Sequence, residues 1–321
     1  MKILITGCAG FIGFHLSLKL SRNKNYKIFG IDNIDNYYDK NLKLDRLNII
    51  KKNKNFHFTK LNINNKSKLN KYFKKNNFDI VIHLAAQAGV RLSLTNPRKY
   101  FDNNISGFFN IIELSRLINV KKFIFASSSS VYGDSKLFPS KENQYNENQK
   151  SFYAFSKKIN EEISISYSNT YDMNISAIRF FTVYGPYGRP DMLFFNLVNS
   201  ILNKKQFNIY NNGKHFRDFT YIDDAINILT KIIFNSNNNK NKFNIYNIGS
   251  GKSYSLLFVV QLVEKILNKK ANIKLINKQE GDVIKTHADL SLIRKKFKYK
   301  NKNHLSKGIK KYIDWFKYYY L

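Results

Sequence analysis

Lys2-Ile3-Leu4-Ile5-Thr6-Gly7-Cys8-Ala9-Gly10-Phe11-Ile12-Gly13 is the stretch that decides the fold. Lys2 to Thr6 reads as a short buried strand, the glycines as a turn, and His15-Leu16-Ser17-Leu18-Lys19-Leu20 as the helix that follows. A second strand, Lys27-Ile28-Phe29-Gly30-Ile31, ends on Asp32, nineteen residues after Gly13. Strand, glycine turn, helix, strand and acid together turn a weak glycine pattern into a strong dinucleotide signal. Gly7 allows the tight turn, Gly10 lets the backbone approach a pyrophosphate, and Gly13 lets the helix pack on the strand. The helix N-terminus offers amide donors and a favourable dipole to the phosphates. Asp32 accepts hydrogen bonds from the adenosine ribose and repels a 2′-phosphate, so NAD is favoured over NADP. Cys8, inside the turn, reads as a small buried residue.

Working outward, further strands fit Phe56 to Leu61, Ile80 to Leu84, Phe123 to Ser127 and Ile175 to Phe180, with helical stretches between them. That alternation predicts an α/β fold, a doubly wound parallel sheet of the Rossmann kind. Leu84-Ala85-Ala86-Gln87 leaves its strand with small residues, as a backbone passing close to a cofactor requires. After Thr182 the alternation stops, and Gly185, Pro186, Gly188 and Pro190 mark a change of architecture. The expected division is an NAD-binding domain over 1–182, joined by 221–248, and a smaller substrate-binding domain over 183–220 and 249–321. Ser306 is expected to cap a last helix with Ile309, Tyr312, Ile313 and Phe316 on one stripe. Asn235 to Lys242 reads as a polar, mobile loop.

The 321 residues, 43% of them apolar, suffice for a real core. No run approaches the length of a membrane span, and the apolar N-terminal run is too short for a signal peptide. One cysteine precludes an internal disulfide and points to a reducing, cytoplasmic setting. Six histidines show no zinc-ligand spacing, so no metal site is expected. The net charge of +32 invites a nucleic-acid partner, but the lysines spread along the whole chain, often beside asparagine, rather than clustering on one element. A coding bias toward A and T accounts for that spread, and no nucleic-acid partner is assigned.

Chemistry enters between Phe123 and Lys157. A strand, Phe123-Ile124-Phe125-Ala126, runs into Ser127 to Ser130 and then Val131-Tyr132-Gly133; twenty residues on stand Tyr153 and Lys157. A tyrosine and lysine four apart on a helix share one face, and a serine at the end of a neighbouring strand can meet that tyrosine. Such a grouping can move a proton to or from a sugar hydroxyl.

The glycine turn, Leu84-Ala85-Ala86, Ser128 with Val131-Tyr132-Gly133, and Tyr153 with Lys157 resemble the extended short-chain dehydrogenase/reductase family, over nearly the whole chain. Ala85 through Arg91, Ala126 through Gly133, Arg179 through Asp191, Arg217 through Asp224 and Gly281-Asp282-Val283 are similar to its UDP-glucuronate 4-epimerase branch. The resemblance implies an isomerase with tightly bound NAD, acting on a UDP-sugar through a 4-keto intermediate. It implies Tyr153 as base, with Lys157 and the positive nicotinamide favouring its anion, and Ser128 bonded to the C4 oxygen. Implied cofactor contacts are Gly7, Gly10, Phe11, Ile12, Gly13, Asp32, Asn33, Asn62, Ile63, Leu84, Ala85, Ala86, Gln87, Asn104, Ser127, Tyr153, Lys157, Phe180 and Val183. At Asn62 the family usually has aspartate, and the amide oxygen is expected to take over its bond to the adenine amino group.

On the substrate side, the resemblance implies Thr182, Ser127, Arg189 and Arg91 near a sugar carboxylate, and Arg217 and Asp282 near the UDP phosphates and ribose. Gln279 stands where galactose-type relatives often carry arginine. Ser129 and Ser130 stand where dehydratases and decarboxylases of the family usually carry acids, which leaves epimerisation. A homodimer through helices around Phe101 to Leu117 and Tyr153 to Thr170 is also implied. Two other readings stay open: a 4-epimerase of UDP-glucose or UDP-N-acetylhexosamine, and a non-catalytic NAD- or nucleic-acid-binding protein that kept the fold.

Overall fold

The computed structural model describes residues 1–144, 146–235 and 242–321. Most of the loop expected between Asn235 and Lys242 therefore lies outside the described residues.

The strands in chain order are β1 (Lys2–Thr6), β2 (Lys27–Asp32), β3 (Phe56–Lys60), β4 (Ile80–His83), β5 (Lys122–Ser128), β6 (Ile175–Phe180), β7 (Thr182–Tyr184), β8 (Gln206–Ile209), β9 (Phe216–Tyr221), β10 (Phe243–Ile248), β11 (Ser253–Ser255) and β12 (Asn272–Leu275). Seven of them form one parallel sheet in the order β10-β6-β5-β4-β1-β2-β3. The strand order reverses across β1 and β4, and in a doubly wound sheet the crevice at that reversal receives the ligand. β1 and β4 are fully or almost fully buried and read as continuous apolar runs, as strands covered on both faces do. β10 joins this sheet beside β6, with Ile248 opposite Phe180.

The remaining strands make two small sheets, β11-β9-β7 and β12-β8, which lie beyond the carboxyl end of β6 in the chain. The last helix, Leu305–Tyr320, buries Ile309, Tyr312, Ile313 and Phe316, the expected stripe. Its start differs from expectation. His304 occupies the cap without a side-chain capping bond, and Ser306 already lies inside the first turn. The chain has few glycines, and several helices end instead on asparagine in the left-handed region, at Asn77 and Asn268. Asparagine tolerates that conformation better than most side chains. Among the described residues, no helix is long and apolar enough to cross a membrane.

Candidate active site

A single cavity opens at the carboxyl ends of β1, β2, β4, β5 and β6, and both sides of the expected site meet in it. On the cofactor side it is lined by Gly7, Gly10, Phe11, Ile12, Gly13, Asp32, Asn33, Ile63 and the segment Leu84 to Gln87. The glycine turn is shaped by backbone contact. Gly7 has φ +70°, and a Cβ there would stand 2.7 Å from the amide nitrogen of Ala85. A Cβ on Gly13 would stand 2.1 Å from the Gly7 carbonyl oxygen, inside any tolerable contact. Asp32 orients the turn: one carboxylate oxygen accepts from Ala9 N at 3.0 Å and the other from Ile34 N at 2.8 Å. Each keeps a lone pair for a ribose hydroxyl. This cradle, a helix N-terminus over a turn with no room for side chains and an acid at the next strand end, fits NAD.

Ser128, Tyr153 and Lys157 line the same cavity beside Phe180, Thr182 and Val183. Ser151 caps the helix Phe152–Tyr171 by accepting from Ala154 N at 3.2 Å, which fixes the turn carrying Tyr153. Burial raises the Tyr153 phenol above its ordinary pKa, while the Ser128 hydroxyl and the Arg189 charge pull it back. Lys157 donates to the Ala126 carbonyl at 2.7 Å, and burial lowers its ammonium to about 8. Lys157 braces the end of β5 through this bond, one helical turn from Tyr153, and Arg189 adds a second positive charge near the phenol.

Other expected site residues make contacts elsewhere in this structure. Ser127 touches the cavity wall, but its hydroxyl donates to Glu161 Oε1 at 2.5 Å, because strand pairing sets it opposite Arg179. Arg179 grips Glu161 through Nε at 2.9 Å and Nη2 at 2.8 Å, and both side chains are 1% exposed. The Ser127 hydroxyl thus donates to this buried ion pair while its residue lines the cavity. Asn104 does not line the cavity. It sits in a π-helical turn, Phe101–Ser106, where it accepts from Gln87 N at 2.7 Å and donates to Gln87 O at 3.0 Å. It clamps the segment that does line the cavity. Asn62 is exposed between the wall residues Leu61 and Ile63, and its amide oxygen accepts from Asn64 N at 2.9 Å. Gln279 stays outside the cavity, and Gly281, Asp282 and Val283 form that wall.

The arginines differ in what they are free to do. Arg189 lies at the cavity, and Nε and Nη2 form a two-pronged pair with Asp191, which also accepts from the Tyr37 hydroxyl at 3.2 Å. The guanidinium also acts on the Tyr37 hydroxyl, lowering the pKa that burial raises. Arg217 lines the cavity and donates through Nη1 to the Phe216 and Ile284 carbonyls at 3.0 and 3.1 Å; burial depresses its pKa and Asp282 offsets part of that. Arg91 is outside the wall, 3.8 Å from Asp282 and over the Tyr210 ring.

Sequence reading missed the contribution of the segment after β2. Tyr37, Tyr38 and Lys43 all line the cavity, and Lys43 donates to the Asp35 carboxylate at 2.9 Å. The only signal available was the tyrosine pair itself, since the stretch has no periodicity. Arg46, fully buried, was also missed: it donates to Ala9 O at 2.9 Å and to Tyr187 O at 2.6 Å.

Comparison with known proteins agrees with this arrangement. The chain is 38% identical over 315 residues to a UDP-glucuronate 4-epimerase of Thermodesulfobacterium geofontis, covering 98% of this chain and 95% of that protein. The solved UDP-glucuronic acid 4-epimerase of Bacillus cereus, in complex with UDP-glucuronic acid and NAD, is 34% identical and superposes over 100% of both chains with a TM-score of 0.93. A UDP-glucose 4-epimerase of Thermotoga maritima, with UDP-glucose, is 27% identical over 99% of both chains, with a TM-score of 0.90. The family model described as "NAD dependent epimerase/dehydratase family" matches residues 3–249, and the chain belongs to that family.

Proposed function

We propose that the chain is an NAD-dependent UDP-glucuronate 4-epimerase, interconverting UDP-glucuronate and UDP-galacturonate. The observation that carries this reading is the convergence of Ser128, Tyr153, Thr182 and Arg189 on one cavity with the glycine cradle. The similar proteins named above include enzymes of this activity. Bound NAD supplies the acceptor and donor for the hydrogen at sugar C4. Tyr153 takes the proton of the C4 hydroxyl, and Ser128 holds the same oxygen by a hydrogen bond. Because burial raises the phenol, its ionisation depends on positive charge nearby, from Arg189 and Lys157. The resulting 4-keto sugar turns over between the two half-reactions, and Tyr153 returns the proton.

Oxidation at C4 makes a glucuronate a β-keto acid, which loses carbon dioxide when its carboxylate bond aligns with the ketone. Thr182 and Arg189 are assigned to hold the carboxylate out of that alignment. Arginine fixes a carboxylate plane better than lysine does. Ser129 and Ser130 put no carboxyl group beside the sugar, so elimination lacks an acid or base there. Arg217 and Asp282 are assigned to the nucleotide end.

A homodimer fits the exposed Phe101, Phe109, Leu117 and Phe155, which lie on the paired helices expected to form its interface. A reducing, cytoplasmic setting fits the lone, buried Cys8 thiol. The deciding experiment incubates purified protein with UDP-glucuronate and no added cofactor. UDP-galacturonate should form without carbon dioxide. Conversion of UDP-glucose but not UDP-glucuronate would move the assignment to a galactose-type epimerase, and a pentose nucleotide would indicate a decarboxylase.

A further inference from the structure

The chain between Ser291 and Leu305 carries Arg294, Lys295, Lys296, Lys298, Lys300, Lys302 and His304. Part of this run folds against the β10–β11 connection and encloses a second cavity of about 710 Å³. Its lining shares no residue with the active-site cavity. Lys252, Arg294, Lys298 and Lys300, all exposed, line it, and no carboxylate does. Among the described residues none of these four cations has a hydrogen-bonding or ion-pair partner for its side chain. Lys296, which does not line it, is by contrast bonded to the Tyr246 hydroxyl at 2.6 Å.

The nearest acids are already committed. Asp218 accepts from Ser250 N at 2.6 Å, Gly251 N at 3.0 Å and Ala288 N at 3.1 Å. Asp224 accepts from Lys302 N and Asn303 N at 3.2 and 3.1 Å. Two further features have the same sign. The last helix begins at the cavity, where His304 and Leu305 line it, and its cap makes no side-chain bond, so the positive end of a sixteen-residue helix opens there. Tyr299, on the wall and 5% exposed, has a hydroxyl with no hydrogen-bond partner. Four cations around one concavity that no carboxylate lines leave a local positive potential, which a bound anion relieves.

We propose that this cavity is a second ligand site, separate from the active site, that binds a nucleoside polyphosphate. The cations and the helix end would take the phosphates. Tyr254, on the wall and stacked on Phe258 with ring centroids 5.7 Å apart, offers an aromatic face to the base. The volume lies within the roughly 300–1,000 Å³ of small-molecule pockets.

The test titrates ATP, by calorimetry, into NAD-loaded protein whose active site is filled with saturating UDP. One equivalent should bind per chain. Replacing Lys252, Arg294 and Lys300 together by glutamate should weaken ATP by about tenfold or more, at about 0.15 M salt. The same charge change at Lys66, Lys71 and Lys74, exposed on the helix Lys66–Asn76, should cost less than about threefold. Unchanged epimerase turnover by the first triple variant would show that it is folded. Absence of a saturable equivalent in the presence of UDP would overturn the proposal, as would equal weakening in both triple variants. Tripolyphosphate binding as tightly as ATP would remove the nucleoside from it. Tight binding of single-stranded RNA with no ATP binding would replace it with a nucleic-acid surface.

Discussion

The cofactor side and the substrate side of the active cavity are built on different principles. Around Gly7 and Gly13 the shape is set by backbone, where a Cβ would fall within 2.7 and 2.1 Å of main-chain atoms, and by an acid that bonds main-chain amides. On the substrate side, Thr182 on β7, Arg217 on β9, Arg189 and Asp282 come from separate segments, held by contacts such as the Arg189–Asp191 pair and the bonds of Arg217 to the Phe216 and Ile284 carbonyls. Main-chain shape leaves a spacing in the sequence. Contacts between separate segments leave almost none.

That contrast can be broken at several points. Replacing Tyr153 by Phe should lower turnover by about 10²–10⁴-fold or more while NAD stays bound, because the cradle is untouched. Turnover is read by product analysis and NAD by its absorbance in the purified protein. Between the two sides, replacing Arg179 by Met leaves Glu161 as a buried charge without its partner. Such a loss costs about 3–5 kcal/mol and should be visible in denaturant unfolding. Gly13→Ala should destabilise by about 1–3 kcal/mol through overpacking and strip NAD from the protein. Arg217→Ala should instead raise KM for the sugar nucleotide and leave NAD in place. If both variants lost NAD equally, the distinction between the two sides would fail.

A smaller effect lies in the pH profile. The Lys157 ammonium is held at about 8 by burial, so its charge is present below that pH and lost as pH rises through it. Wild-type kcat/KM should therefore fall on the alkaline side near pH 8. In Lys157→Arg the charge persists, and that alkaline fall should vanish at a lower absolute rate. Smallest of all, Asn62→Asp should change NAD affinity by less than about twofold, since the side chain lies off the wall and closes a turn. A large gain would restore the adenine contact that the structure does not favour.

The seven-stranded sheet was legible because buried parallel strands are apolar runs separated by helices, and the glycine turn because steric exclusion demands glycine. Tyr153 and Lys157 were legible by helical spacing. What the sequence hid were side chains diverted by three-dimensional neighbours. Ser127 looks like any serine in its run of four until strand pairing sets it against Arg179 and Glu161. Asn104 looks like a ligand until the π-helical turn points it at Gln87. Lys157 looks like a partner of Tyr153 alone, yet its ammonium also bonds the carbonyl of Ala126. Each of these depends on a long-range contact that no local pattern encodes.

Arg46 bears on how the molecule comes apart. Its guanidinium, from the helix Lys40–Lys51, ties the Ala9 carbonyl in the glycine turn to the Tyr187 carbonyl, two residues before Arg189, and His15, on the helix Phe11–Leu20 after that turn, bonds the Pro186 carbonyl at 2.9 Å. The loop that carries Arg189 is thus stitched to the cofactor turn. Arg46→Ala should uncouple the two, so that the loop around Arg189 loses hydrogen-exchange protection before the central sheet does.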